Sequence, residues 1–225
     1  MFLFFLSISL LLVRKKLSCA MKILAVGWNY PKHNAELGES VVRPTNPTIF
    51  SMPETALLKD NSPFYLPDFS NDIQYETEVV VRIEKMGKNI SKQFANRYYN
   101  SVTLGIDFTA RDLQNELKAK GLPWDICKGF DNAAPIGEFI PKEKLPCVDS
   151  LNFYLDLNGN RVQNGCTQDM FFSVDEIIAY VSRFFTLKTG DLIFTGTPNG
   201  VGPVHVGDRL TGVLEGNKLL DFEVL

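Results

Sequence analysis

The chain has 225 residues, 45% hydrophobic and 22% charged, with a formal net charge of −3. That length and balance describe a folded globular protein with one sizeable core. A mild acidic excess, with no basic run interleaved with aromatics, excludes a nucleic-acid binder; four scattered cysteines without zinc-type spacing read as free thiols in a reducing compartment, the cytoplasm.

The N-terminus stands apart. Phe2 to Val13 is mostly apolar and is followed by Arg14, Lys15 and Lys16. The run is short for a bilayer span, and a secretory signal carries its positive charge before the apolar run, not after it. Ser18-Cys19-Ala20 resembles a small-residue cleavage site, so a signal or anchor stays open as an alternative. Met21 opens MKILAVGWNY, an ordinary first strand. The expectation is therefore an extension over residues 1–20 and one domain, free of the membrane, over 21–225. Without the extension the net charge falls by three more, from −3 to −6.

Residues 22–27 read as a short buried strand. GWNYPKHNAELG follows, a loop rich in Gly, Asn and Pro that carries His33, one of only two histidines. Residues 39–70, rich in Pro, Ser, Asn and Asp, predict a long irregular region with short strands. IQYETEVVVRI alternates with a period of two. Ile73, Tyr75, Thr77, Val79, Val81 and Ile83 share one strand face, and Gln74, Glu76, Glu78 and Arg82 share the other. Residues 109–120 predict a helix, with Thr109 and Asp112 as a capping box, Ala110, Leu113 and Leu117 as an apolar stripe, and Gly121 and Pro123 as its stop. LNFYLDLNGNRVQ predicts a hairpin turning at Asn158-Gly159. Ser173 and Glu176 open a second helix whose Val174, Ile177, Ile178, Val181, Phe184 and Phe185 form its packing stripe. LIFTGTP, RLTGVL and KLLDFEVL complete the chain as turn-punctuated strands. Strands outnumber helices and do not alternate with them, so the fold class is α+β and β-rich, with a rolled or sandwiched sheet.

Glu76 and Glu78 lie about 7 Å apart along one strand face. Such a pair suits a shared cation or a solvated polar face. Asp107, at the end of SVTLGID and just before a helix start, would complete an all-oxygen set suited to Mg²⁺, Mn²⁺ or Ca²⁺; it reads equally as a helix-entry residue. Arg111 and Gln114 share the helix face nearest that set. Lys128 is an isolated cation in WDICKGFD. TGTPNGVGP, residues 195 to 203, lacks the Lys-Ser/Thr of a phosphate loop. Its amides and the Thr195 and Thr197 hydroxyls could hold a small anion or simply form a tight turn.

Five segments in order, GxNYxxHxxE, YETE, IDFTARDLQ, KGFD and TGTPxGVGP, closely resemble the fumarylacetoacetate hydrolase family, over essentially all of Met21 to Leu225. The resemblance implies a mixed β-sandwich roll of the fumarylacetoacetase C-terminal-domain type, a homodimer, and a Mg²⁺ or Mn²⁺ site. It implies Glu76, Glu78 and Asp107 as metal ligands, and His33 and Glu36 as an acid–base dyad at i and i+3 of a short helical turn. Arg111, Gln114 and Lys128 become substrate and oxyanion contacts, and Thr197 the hydroxyl that holds a substrate carboxylate. Two positions depart from the family pattern: Met52 stands where a lysine is common, and Gln74 where a histidine is common. The activity expected is metal-dependent hydrolysis of a carbon–carbon bond in a small 2-oxo acid of the acylpyruvate type. The alternatives are oxaloacetate tautomerisation or decarboxylation, and isomerisation of hydroxy-diene diacids.

Overall fold

The largest sheet has six strands. At its centre Thr77–Ile83 pairs antiparallel with Tyr99–Ile106, and Leu192–Phe194 pairs antiparallel with Thr77–Ile83 on the other side. Ile23–Gly27 then runs parallel to Leu192–Phe194, and Thr48–Met52 and Ile140–Pro141 form the two edges. A computed structural model of the chain describes residues 21–225. The expectations for residues 1–20 concern a segment outside the described residues.

A second, four-stranded antiparallel sheet orders Asn160–Cys166, Asn152–Leu157, Arg209–Leu214 and Asn217–Glu223. Both sheets contribute to one core, in which Val79, Leu104, Phe153, Leu214 and Phe222 are buried together. Phe64 and Phe108 stack within it at 4.0 Å. The hairpin turns where the sequence predicts: Asn158 and Gly159 both take positive φ, 52° and 79°, the geometry a two-residue hairpin requires.

Local chemistry explains most elements. Val79, Val80 and Val81 are β-branched, favour strand, and are fully buried on both faces. The period-two pattern therefore does not separate a core face from a wet one. The face that carries Glu76 and Glu78 also carries the buried Val80, and both glutamates are buried with it. The solvated-face alternative for this pair is overturned. The segment also breaks once: Ile73–Tyr75 and Thr77–Ile83 are separate strands with Glu76 between them.

Ser173 caps the helix Val174–Val181 with the reciprocal Glu176 contacts of a capping box, as the sequence predicts. Phe184 and Phe185, however, lie beyond that helix and are 55% and 39% exposed. The other capping box is not formed. The helix spans Arg111–Lys120, and Thr109 lies in a two-residue strand paired with Gln74. Its hydroxyl donates instead to Asp107 O, and Asp112 accepts from Ser70 and the Asn71 amide. Gly121, in the left-handed region at φ 64°, ends this helix as expected.

Candidate active site

Strand pairing brings the acidic residues together. Thr77 is the partner of Ile106, so the residues just outside that pair, Glu76 and Asp107, meet across the ladder. The Asp107 amide donates to Glu76 O at 2.8 Å. Glu78 lies one full strand period further on. A carboxylate oxygen from each of Glu76, Glu78 and Asp107 falls within 4.8 Å of the others, and all three residues are buried.

Cations and amides surround them. Lys128 Nζ lies 2.8 Å from Glu76 Oε2 and 2.6 Å from Asp107 Oδ2. Arg111 pairs with the other Glu76 oxygen, and also donates to Gln114 Oε1 and, at 2.9 Å, to Gln74 Oε1. The helix starts at Arg111, and its buried residues, Arg111 and Gln114, line the same cavity as the carboxylates. Gln74 is positioned in turn by Asp72 at 3.1 Å. Met52, the second departure from the family pattern, is a buried core residue opposite Ile23. Glu78 Oε2 accepts from the Gly196 amide at 2.7 Å.

The charges do not balance without a further cation: three buried carboxylates face Lys128 and Arg111. Burial works to raise Glu76, but Lys128 and Arg111 outweigh it and hold this carboxyl far below its usual range. Burial pushes Asp107 up to about 7 despite Lys128. Burial, and then Asp107, push Glu78 well above the carboxylate range. Two of the three groups are thus driven towards holding protons. Asp107 Oδ1 is buried with no hydrogen-bond partner. An oxygen-only donor set with one orphaned oxygen and a deficit of positive charge fits a hard divalent ion. The cavity these residues line measures about 20 Å³, room for one ion or water.

The GWNYPKHNAELG segment, through Gly27, Trp28, His33 and Leu37, forms one wall of this cavity. Asn29 is its anchor: its amide donates to Phe172 O and Thr195 O, and its Oδ1 accepts from Phe172 N. Trp28, just before it, sits at φ 59°, a conformation that bulky residues rarely adopt. The turn leads into the helix Pro31–Glu36, with proline in its first turn. His33 is buried, and its Nδ1 lies 3.4 Å from Glu36 Oε2. Both Glu36 oxygens accept from the Gly200 amide, at 3.0 and 3.1 Å. Burial lowers the pKa of His33; Glu76 and Glu36 act in the opposite direction without reversing it.

All nine residues expected at the site converge. His33, Glu76, Glu78, Asp107, Arg111, Gln114, Lys128 and Thr197 line one cavity, and Glu36 stands behind His33. Three features were not legible in advance. Gln163, from the neighbouring sheet, bonds to Thr77 N and Thr197 Oγ1. Trp28, Trp124 and Phe50 form an aromatic wall, with Trp28 and Trp124 edge to face at 5.0 Å. Two amides of the 195–203 loop are taken by the site's own carboxylates, Gly196 N by Glu78 and Gly200 N by Glu36, while the Thr195 hydroxyl donates to Val79 O. Gly196 donates to Glu78 from a backbone at φ +101°, where a Cβ would meet Asn29 Cβ at 2.7 Å, so the position favours glycine.

A buried three-carboxylate site that could hold a divalent ion lies beside a His–Glu pair on a strand-rich α+β frame, the make-up of an enzyme active site. Residues 22–221 match the fumarylacetoacetate (FAA) hydrolase C-terminal family, and the chain belongs to the fumarylacetoacetate hydrolase family. It is 40% identical over 202 residues, 90% of either chain, to mouse "Oxaloacetate tautomerase FAHD1, mitochondrial". It is 42% identical over 187 residues to the Dictyostelium discoideum "Oxaloacetate decarboxylase, mitochondrial", covering 83% of this chain and 85% of the relative. Among solved structures, a fumarylpyruvate hydrolase from Pseudomonas aeruginosa in complex with Mn²⁺ and pyruvate superimposes with a TM-score of 0.87 at 34% identity, over 92% of this chain and 90% of that one.

Proposed function

We propose that this enzyme acts on oxaloacetate, interconverting its keto and enol forms. Carbon–carbon hydrolysis, the activity first expected from the sequence, takes second place. The observation that carries this reading is the similarity, over nine-tenths of both chains, to relatives named for oxaloacetate. Glu76, Glu78 and Asp107 would hold Mg²⁺ or Mn²⁺, which when bound would polarise the carboxylate and carbonyl oxygens of a 2-oxo acid.

The chain's own residues supply the proton chemistry. With Glu36 accepting from His33 Nδ1–H, Nε2 is left unprotonated on a residue that lines the cavity; burial favours this neutral state. His33 Nε2 takes a proton from the carbon beside the substrate carbonyl, and Glu36 stabilises the imidazolium that forms. The proton then passes to the carbonyl oxygen, giving the enol. Lys128 Nζ has three N–H bonds and gives two of them to Glu76 and Asp107. The third, on an ammonium that also lies 5.4 Å from the Phe50 ring centre, would donate to a developing oxyanion. Arg111 and Gln114 line the substrate side, and Thr197 donates its hydroxyl to a carboxylate. The second reading, hydrolysis of an acylpyruvate, is favoured by the likeness to the fumarylpyruvate hydrolase; there His33 would deprotonate water.

The test is turnover on enol oxaloacetate, followed by its ultraviolet absorbance, beside acetylpyruvate and fumarylpyruvate, with EDTA and with Mg²⁺ or Mn²⁺ restored. Faster turnover of an acylpyruvate would favour the second reading; full activity in EDTA would remove the metal from both. We also propose a homodimer. Exposed Phe69, Ile126 and Phe185 surround a largely apolar groove of about 850 Å³, and sedimentation of the pure protein measures its mass. None of the helices among the described residues is long and apolar enough to cross a membrane. The cytoplasm is the proposed location; the mouse and amoebal relatives are named as mitochondrial, and cell fractionation decides between the two.

A further inference from the structure

Gln163 contacts no carboxylate of the cluster, yet it ties two parts of the site together. It is 1% exposed and comes from the strand Asn160–Cys166 of the neighbouring sheet. Its Oε1 accepts from the amide of Thr77, the residue between Glu76 and Glu78, at 2.9 Å. Its Nε2 donates to Pro198 O at 3.0 Å and to Thr197 Oγ1 at 2.9 Å. The orientation of a glutamine amide is normally inferred from its neighbours. Here two neighbours leave no choice: a backbone N–H can only donate, and a proline carbonyl can only accept. The nitrogen of Gln163 must therefore face Thr197.

That constraint reaches the Thr197 hydroxyl. A hydroxyl has one hydrogen and two lone pairs. One lone pair of Thr197 accepts from Gln163, so its hydrogen must point elsewhere, and among the described residues no acceptor takes it. Thr197 is itself buried and lines the cavity of the three carboxylates. We infer that Gln163 is a positioning residue that turns the Thr197 hydrogen away from itself, favouring the hydroxyl as a hydrogen-bond donor into the site, and so biases the site towards the carboxylate of a 2-oxo acid. The inference rests on the reading of Thr197 as a carboxylate contact. A hydroxyl free to rotate would spend part of its time presenting a lone pair, which repels an anion. Gln163 excludes the rotamer in which the hydrogen points at its own amide, and so raises the share of rotamers that present the hydrogen to the site.

The test is a double-mutant cycle on the metal-loaded enzyme, read as the Kd of oxalate by calorimetry and as KM and kcat for oxaloacetate. Thr197→Val should weaken oxalate roughly ten- to a hundredfold, as for loss of a hydrogen bond to a charged group. Gln163→Glu keeps the acceptor for Thr77 N but turns the donor facing Thr197 into an acceptor. It should weaken oxalate and raise KM by a similar factor, with kcat within about threefold. Gln163→Met, which removes the donor without adding charge, should give a smaller loss in the same direction; it serves if the first variant does not fold. In the Thr197→Val background both Gln163 changes should have little further effect, and the affinity for Mn²⁺ alone should stay as in the parent. Equal losses with and without the Thr197 hydroxyl, or a matching loss of Mn²⁺ affinity, would reduce Gln163 to a brace for the Glu76–Glu78 strand and overturn the inference. Normal oxalate binding by Thr197→Val would instead overturn the carboxylate-contact reading beneath it.

Discussion

Lys128→Met removes a buried cation while keeping most of the side chain's volume. In the native protein Lys128 is 2% exposed and bonds to Glu76 at 2.8 Å and to Asp107 at 2.6 Å. Removing it leaves Arg111 alone against three buried carboxylates. Breaking a buried ion pair from one side costs about 3–5 kcal/mol, because the remaining charge has lost its compensation. For a domain of this size each kcal/mol corresponds to about 2–4 °C, so the melting temperature in EDTA should fall by about 6–20 °C. A divalent ion between the same carboxylates replaces the missing charge. Saturating Mn²⁺ should therefore raise the melting temperature of the variant by more than it raises that of the parent. Mn²⁺ should bind the variant at least as tightly, since a positive neighbour has gone, while kcat falls if Lys128 donates to an oxyanion. Circular-dichroism melts with EDTA and with Mn²⁺, for both proteins, provide the comparison. An unchanged melting temperature in EDTA, or equal Mn²⁺ shifts in the two proteins, would refute the charge argument.

Other consequences can be measured independently. His33→Ala should lower kcat by roughly 10² to 10⁴ with Mn²⁺ affinity unchanged; Glu36→Gln should lose nearly as much, and the double variant little more, since the two act as a unit. Additive losses would separate their roles. The pH profile follows from the lowered pKa of His33: the base must be neutral, so kcat/KM should rise with pH through an apparent value below the usual 6.5, and an acid limb centred above 6.5 would contradict this. Far from the site, burial acts to raise Glu176, but the Ser173 amide, Lys92 and Arg43 outweigh it and hold this carboxyl at about 2, below its ordinary 4.5. A depressed folded-state value means stability fully present above pH 4.5 and lost as pH falls towards 2. Because Arg43 and Lys92 are half exposed or more, Glu176→Gln should cost only about 1 kcal/mol at neutral pH, by urea denaturation, with the difference vanishing near pH 2. Finally, Gly200→Ala should destabilise the fold and lower kcat together: its φ is +95°, a Cβ there would meet Val162 O at 2.2 Å, and its amide holds Glu36. A variant of parental stability would show that this loop yields more easily than its geometry implies.

Short-range features were legible in the sequence because they depend on neighbours within a few residues. The capping box of Ser173 and Glu176, the turn at Asn158-Gly159, the stop at Gly121 and the i, i+3 pairing of His33 with Glu36 all arise from local backbone geometry, which the residue types announce. The motif spacing likewise pointed to the cluster of Glu76, Glu78 and Asp107. What the sequence left open was which surfaces would be covered. Period two placed Glu76 and Glu78 on one face, but only the packed structure made that face an interior one, and with it raised Asp107 and Glu78 and left Asp107 Oδ1 without a partner. The failed capping box at Thr109 has the same origin, since pairing with Gln74 draws that residue into a strand. Gln163 lies 86 positions from Thr77, and Glu78 lies 118 from the Gly196 amide that holds it. No local pattern encodes such contacts. They exist because register and sheet packing bring distant backbone donors to buried acceptors, and a buried polar group must find a partner or pay its desolvation in full.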